Sequence, residues 1–402
     1  MKVSITPSKA EGRVYAPPSK SIAHRALIAG ALSDGSEISN IAYSNDVEAT
    51  LSCLGEMGAR IERQKDSVLI GGLEPYNLPD NVVLSCNESG STLRFLLPLC
   101  MLCGKGITLK GTKRLFERPL TVYENIAKQN GILWQQGEDY VKVCGRLKNG
   151  VYSLPGDISS QFVTGLLYAL PMLSGDSEIV VTNQLESASY VGLTISTLKQ
   201  FGTNITKTQS GFYIKGNQRP RAERFTVEGD YSNAAFLEGL NLLGGSVEVK
   251  GLSENSLQGD RVYTKMYLDL IKGQKSFDLT DCPDLGPVMF ALAATKGGAK
   301  FFGTKRLKIK ESDRSLAMAE ELQKFGIELM IEDNSVTVCG GELKPPIALL
   351  NSHNDHRIAM ALALLCTITG GTIDNAEAVN KSFPEFLERL KSLRINFVIY
   401  DS

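Results

Sequence analysis

A segment of about 70 residues recurs along this chain, and the fold has to be assembled from copies of it. Gly58, Gly131, Gly202, Gly273 and Gly326 each close an amphipathic stretch, at intervals of 73, 71, 71 and 53 residues. Leu54, Leu198 and Leu322 lie four residues before their glycines, one helical turn back on the same face. After the glycines come "GARIERQKDSVLIGG", "GILWQQGEDYVKVCG", "GTNITKTQSGFYIKG" and "GIELMIEDNSVTVCG", each reading as short strand, polar turn, strand. The second glycine follows the first by 13 or 14 residues. The copy after Gly273, "GQKSFDL", is cut short, which accounts for the interval of 53, and "FLERLKSLRINFVIYD" is a sixth, truncated copy.

A second set of helices interleaves with the first. Its members open as "PSKSIAHRALIAGAL", "NESGSTLRFLLPLCML", "DISSQFVTGLLYALPML", "GDYSNAAFLEGLNLL", "CPDLGPVMFALAA" and "NDHRIAMALALLCTI". Each runs through a glycine-bearing turn into a strand such as "ITLKG", "EIVVT" or "VEVKG". The chain therefore reads as about six βαβαββ units. A period near 70 is long for a solenoid, so two domains of three units fit better than an open array, with the break near "RAERFTVEGDYSN".

Helices this apolar belong in a core, so their polar heads should open into a cleft. The first head shows what they carry. In "APPSKSIAHRA", Pro17 and Pro18 stiffen the chain, and a helix is predicted to start near Ser19 or Lys20 with a serine cap. Lys20 and Arg25 then stand where the helix dipole favours negative charge, an arrangement that suits a bound anion. Other heads hold Gly90, Ser91 and Arg94; Ser159, Ser160 and Gln161; Asp284; and Asp355, His356 and Arg357. Converging, they would collect helix N-termini and cations for anionic ligands.

Composition limits the alternatives. With 402 residues, two or three domains are expected, and 43% hydrophobic with 22% charged residues is ordinary for a globular protein. Lys plus Arg (43) nearly equals Asp plus Glu (44), so charge gives no support to a nucleic-acid or membrane-surface partner. No run approaches the ~18 apolar residues of a membrane span. "MKVSITPSKAEGRV" has neither the core of a signal peptide nor a transit composition, and a cytoplasmic location is expected. Of eight cysteines only Cys100 and Cys103 make a C-x-x-C, with no partner pair or nearby histidine, so reduced thiols and no metal site are expected. No G-x-x-x-x-G-K-[ST] loop is present.

The stretches "PPSKSIAHRA", "NESGSTLRFL", "FERPL", "SSQFVTGLL", "KIKESDR", "NDHRIAMAL" and "NKSFPEFL" occur in the order and spacing of one family. Over essentially its full length the chain resembles 5-enolpyruvylshikimate-3-phosphate synthases, also called 3-phosphoshikimate 1-carboxyvinyltransferases. The resemblance implies an α/β fold of two similar domains, each of three βαβαββ units (the enolpyruvyl transferase inside-out α/β barrel), joined by a hinge. It places residues 15–225 in the N-terminal domain and 226–402 with 1–14 in the C-terminal one.

The reaction it implies joins phosphoenolpyruvate to the 5-hydroxyl of shikimate 3-phosphate and releases phosphate, as a monomer, with no cofactor and no metal. Two phosphates and two carboxylates then share one site, which calls for many cations and little water. By resemblance, Lys20, Ser21, Arg25, Ser159, Ser160, Gln161, Ser187, Asp284 and Lys310 bind shikimate 3-phosphate. Lys20, Gly90, Arg118, Gln161, Arg314, Arg357 and Lys381 bind phosphoenolpyruvate. Asp284 accepts a proton at the 5-hydroxyl, Glu311 donates one, and Lys20 completes the catalytic set. Each position has a plainer reading: Lys310, Glu311 and Arg314 as the charged turn of a surface helix, Ser159, Ser160 and Asp284 as caps, Arg118 as a loop cation.

The chain departs from the family pattern at Phe95, where proline often follows the arginine of the "GSTLR" stretch, at His24, often asparagine, and at Arg306, often asparagine. Two rivals remain at this level. The UDP-N-acetylglucosamine enolpyruvyl transferases share the fold but carry asparagine after the first lysine and a loop cysteine; here stand Ser21 and the cysteine-free "GTKRLFERP". A non-catalytic phosphometabolite-binding protein would keep the arginines without needing Asp284 or Glu311.

Overall fold

The computed structural model describes residues 1–400 and shows how the glycine-closed helices end. In all six copies the residue after the turn donates its N–H to a carbonyl five residues back: Ala59 to Leu54, Ile132 to Ala127, Thr203 to Leu198, Gln274 to Asp269, Ile327 to Leu322 and Ile395 to Leu390. This is the Schellman closure, which needs a left-handed residue just past the helix and places an apolar pair across the turn. The recurrent leucine four places before the glycine supplies that closing carbonyl. Gly131 (φ 67°) serves the second copy, whereas in the sixth the left-handed position is Arg394 (φ 66°). A side chain there costs roughly 1–2 kcal/mol, so the sixth copy keeps the geometry without the residue that favours it.

Two strands come first, β1 (Lys2–Ile5) and β2 (Glu11–Tyr15). The first repeat is α1 (Lys20–Ala31), β3 (Ser36–Ser39), α2 (Asn45–Glu56), β4 (Arg60–Arg63) and β5 (Ser67–Gly71). The second is β6 (Val83–Ser85), α3 (Gly90–Cys100), β7 (Ile107–Lys110), a short α4 (Lys113–Glu117), α5 (Thr121–Asn130), β8 (Leu133–Gln136) and β9 (Tyr140–Cys144). The third is β10 (Val151–Leu154), α6 (Ser160–Ala169), β11 (Ser177–Val181), α7 (Ala188–Gln200), β12 (Ile205–Lys207) and β13 (Gly211–Ile214). The fourth, β14 (Arg224–Thr226), α8 (Tyr231–Leu242), β15 (Ser246–Lys250) and α9 (Tyr263–Ile271), has no closing hairpin. The fifth is β16 (Ser276–Asp278), α10 (Gly286–Thr295), β17 (Gly298–Phe302), α11 (Arg314–Lys324), β18 (Leu329–Ile331) and β19 (Ser335–Cys339). The sixth is β20 (Leu350–Asn351), α12 (His356–Thr369), β21 (Gly371–Asp374), α13 (Phe386–Ser392) and β22 (Phe397–Tyr400).

Complete repeats share one sheet pattern. In the second, β6 runs parallel to β7, and β7 pairs antiparallel with β9 of the hairpin. Two strands do not join the sheet that their chain position suggests. β2 precedes α1 but runs parallel to β15, while β14 precedes α8 but runs parallel to β3. The sixth sheet takes β1 as its missing strand, antiparallel to both β21 and β22. Among the described residues there are six small sheets and no single closed one.

The contacts divide the chain into two lobes, one of Pro18–Glu228 and one of Met1–Pro17 with Gly229–Ser402. Each has its own hydrophobic core. In the first lobe α1, α3 and α6 are buried on nearly every face, and in the second α8, α10 and α12 are. Their all-round apolar sequences allow nothing else, since each buried Leu, Ile or Phe is worth about 1.5–3 kcal/mol. The amphipathic helices, such as α5 with Val122, Tyr123, Ile126 and Ala127 inward, cover them.

Candidate active site

In the first lobe Ser19 holds the N-cap position of α1 in extended backbone, although its side chain does not cap the helix. Lys20, one residue on, places Nζ 2.7 Å from Asp46 Oδ2 in the first turn of α2, with both side chains largely buried. Arg25 lies one turn deeper and is 2% exposed. Its Nε donates to Thr194 Oγ1 (2.9 Å), Nη1 to the Ser21 carbonyl (2.6 Å) and Nη2 to the Tyr190 carbonyl (2.9 Å). Three of five N–H groups are spent, all on uncharged oxygens, and burial pulls this guanidinium below its usual value.

Gly90 is the first residue of α3, and the Arg118 guanidinium lies against it. A Cβ at Gly90 would sit 2.6 Å from Arg118 Nη1, so only glycine lets the cation cover that helix end. Gln161, in the first turn of α6, accepts from Arg94 Nη1 at 3.0 Å and donates through Nε2 to Ser91 Oγ at 3.1 Å. Arg94 thereby fixes which end of the amide faces which way. Ser159 is the cap of α6, accepting from Gln161 N at 3.3 Å, as its plainer reading had it. Ser160 is buried beside it, Ser21 is half-buried, and buried Ser187 stands just before α7 in left-handed backbone (φ 54°). Hydrogen bonds and ring contacts tie α1, α3, α6 and α7 together at these ends.

The second lobe gathers opposite charges. Asp284, just ahead of α10, is not a cap: its Oδ1 lies 2.7 Å from Arg314 Nη1 and 3.0 Å from Lys310 Nζ, and Oδ2 lies 3.7 Å from Arg357 Nη2. Burial works against the carboxylate, but Lys310, Arg314 and Arg357 together hold it well below the usual carboxylate range. Arg314 opens α11, a helix with one exposed face, but its own side chain is turned inward and is 1% exposed. It also meets Glu311 Oε2 through Nη2 (2.9 Å) and Asp355 Oδ2 through Nε (2.9 Å), so one guanidinium links three carboxylates. Burial disfavours its charge, and Asp355, Glu311 and Asp284 more than restore it. Lys310 is lowered by burial despite Asp284.

Asp355 caps α12, accepting from Arg357 N at 2.8 Å. Arg357 is then directed to Ser232 and Asn233 in the first turn of α8, with Nη1 2.9 Å from the Ser232 carbonyl and Nη2 2.6 Å from Ser232 Oγ. Lys381 donates to the Asn354 carbonyl and is buried. Within the first lobe the expected residues lie at packed helix heads; within the second, Asp284, Lys310, Glu311, Arg314 and Arg357 form one network, and Lys381, between β21 and α13, reaches the Asn354 carbonyl on the loop before α12.

Sequence reasoning passed over Asp46, Thr194, Ser232 and Asn233, and gave Asp355 no role. The fourth polar head, "GDYSN", was the available signal for Ser232 and Asn233. Cys103 lies in the turn past α3 and is buried there. Away from these residues, Glu320, Glu321 and His353 bring ligand-type atoms within 4.8 Å of one another. Lys324 Nζ already meets both Glu321 oxygens at 2.8 and 2.9 Å.

Paired lobes of three repeats, with buried cations and carboxylates at the inner-helix heads, define an α/β enzyme of the enolpyruvyl-transferase class. The family model for EPSP synthase (3-phosphoshikimate 1-carboxyvinyltransferase) matches residues 5–390, and the chain belongs to that family. The 3-phosphoshikimate 1-carboxyvinyltransferase of Clostridium kluyveri is 43% identical over 417 residues, covering 97% of each chain. That of Clostridium acetobutylicum is 41% identical over 420 residues, with the same coverage. Two solved EPSP synthase structures from Acinetobacter baumannii share the fold, with TM-scores of 0.77 and 0.79 at 23% and 22% identity. They cover 99% and 100% of this chain and 100% of each neighbour. The activity is that of a shikimate-pathway transferase, working in aromatic amino acid biosynthesis.

Proposed function

We propose that Asp284 is the proton acceptor and Glu311 the proton donor of enolpyruvyl transfer, with Arg314 coupling them. The observation that carries this reading is the triple contact of Asp284 with Lys310, Arg314 and Arg357, which keeps the carboxylate ionised and aimed. The 5-hydroxyl oxygen of shikimate 3-phosphate bonds to C2 of phosphoenolpyruvate while its proton passes to Asp284 and Glu311 protonates the methylene. The tetrahedral adduct then returns a methyl proton to the Glu311 carboxylate and breaks its C2–O bond to phosphate, releasing phosphate and forming the enol ether.

Arg314 has five N–H groups and spends four on Asp284, Glu311 and Asp355, leaving one Nη1–H. A phosphoenolpyruvate carboxylate arriving there competes with Glu311 for the same guanidinium and loosens that ion pair. Lys20, Gly90, Arg118, Gln161, Arg357 and Lys381 hold the rest of this substrate. Ser21, Arg25, Ser159, Ser160, Gln161, Ser187 and Lys310, with Lys20 and Asp284, take shikimate 3-phosphate. Arginines suit the bidentate contacts of phosphate and carboxylate.

The same reading takes the protein as a cytoplasmic monomer without nucleic-acid or membrane partners; its formal net charge is −1, and no helix among the described residues is long and apolar enough to cross a membrane. The division into 15–225 and 226–402 with 1–14 is part of the same reading. Phosphate release from phosphoenolpyruvate, with and without shikimate 3-phosphate, tests the whole. Release that depends on the acceptor and falls steeply in both Asp284→Asn and Glu311→Gln is expected. Full turnover in either variant removes that residue from the mechanism.

A further inference from the structure

Two buried arginines, one in each lobe, lie over phenylalanine rings in matching places. Arg25 Cζ is 5.2 Å from the centroid of Phe95, and Arg357 Cζ is 5.7 Å from that of Phe236. Phe95 is the sixth residue of α3 and Phe236 the sixth of α8; both rings are almost wholly buried. The hydrogen-bond acceptors of both guanidinium groups are neutral: Thr194 Oγ1 and two carbonyls for Arg25, Ser232 and Asn233 oxygens for Arg357. Arg357 Nε is buried with no hydrogen-bond partner among the described residues.

A cation in a low-dielectric interior needs stabilising, and a carboxylate would do so only by cancelling the charge an anionic ligand must meet. The negative face of an aromatic ring attracts the cation without bringing a formal charge. We propose that Phe95 and Phe236 are positioning residues, holding Arg25 and Arg357 in place, Arg25 without a cancelling carboxylate, until an anionic substrate takes up their remaining N–H groups. This rests on the reading above, in which Arg25 meets shikimate 3-phosphate and Arg357 meets phosphoenolpyruvate. Phe95 matters more, because Arg357 also has Asp284 Oδ2 at 3.7 Å whereas no carboxylate among the described residues forms an ion pair with Arg25.

Steady-state kinetics on the full chain tests it. Phe95→Leu should raise KM for shikimate 3-phosphate by roughly 3- to 30-fold, the range a desolvated cation–π contact supports. KM for phosphoenolpyruvate should move far less, a split that general loosening of the core would not produce. Phe95→Tyr, which keeps the ring face, should restore the affinity. Phe236→Leu should show the mirror pattern, smaller and on phosphoenolpyruvate. Phe95→Met stands in if the leucine variant does not fold. Equal losses for both substrates, or no rescue by tyrosine, overturn the proposal. So does an unchanged KM in Phe95→Leu when Arg25→Ala weakens shikimate 3-phosphate. If Arg25→Ala also leaves that affinity intact, the assignment of Arg25 is what fails.

Discussion

In the first lobe Arg25 is held by three oxygens that carry no charge; in the second Arg314 is held by three carboxylates. Both are buried arginines at helix heads, yet they are fit for different work. Arg25 keeps an unbalanced positive charge, which favours capture of an anion. Arg314 is so well balanced that its charge goes into orienting acids. On the assignment proposed above, the first lobe would attract anions and the second would place and move protons.

The largest effect should come from breaking the balanced side. Arg314→Met leaves Asp355, 0% exposed, without its cation, and a buried pair broken in this way costs about 3–5 kcal/mol. Urea unfolding should show the loss; a cost below about 1 kcal/mol would mean that the carboxylates find other partners readily. Asp284→Asn comes next. It is nearly isosteric and leaves Lys310, Arg314 and Arg357 in place, so turnover should fall by roughly 10²-fold or more while calorimetry finds shikimate 3-phosphate still bound within about tenfold of wild type. The matching change in the first lobe, Asp46→Asn, releases Lys20 from its 2.7 Å partner and removes no proton acceptor. It should cost less turnover than Asp284→Asn, and a loss as large would end the division of labour between the lobes.

The lobes should also part company in acid. Burial first, with Lys20 and Arg25 adding to it, holds His24 well below its ordinary value. Between that depressed value and about 6.5 the unfolded chain binds the proton and the folded lobe does not, so stability falls as pH drops below about 6.5, by at most about 1.4 kcal/mol per pH unit. The contribution of Asp284 is complete above its ordinary value near 4 and disappears only as pH falls through its much lower folded value. His24→Asn should flatten stability between about pH 6.5 and 5 and leave the steeper loss at lower pH. An unaltered pH profile would remove His24 from the account.

The smallest expected effect is none. Residues 111–119 contain no cysteine, and burial pushes the Cys100 thiol well above its ordinary value, with Cys103 also raised by burial. A thiol-alkylating epoxide such as fosfomycin should therefore leave activity intact and add no mass in a mass spectrum. Labelling of either cysteine would show that the C-terminal end of α3 opens further than its packing indicates.

Much of this was readable in the chain because it is written locally. The five closing glycines, three of them with a leucine four places before, announced five of the six Schellman turns, and the apolar bodies announced buried helices, since both depend on residues within one or two turns. Arg394 was missed as the sixth turn residue because nothing in its own identity favours left-handed backbone. The polar heads were visible for the same local reason, but their partners were not. Nothing near Lys20 in sequence points to Asp46, and nothing near Arg357 points to Ser232.

What the sequence determined by itself was therefore the repeat, the α/β class and the set of chemically loaded helix heads, because periodicity and capping act between near neighbours. Only the tertiary structure decided that β2 and β14 join sheets other than those their order suggests, since a strand's partner is chosen by free edges far along the chain. It also decided which cations remain uncancelled. Arg25 and Arg314 look alike as letters; one packs over a phenylalanine ring and the other among three carboxylates, and the charge left for a ligand depends on that packing.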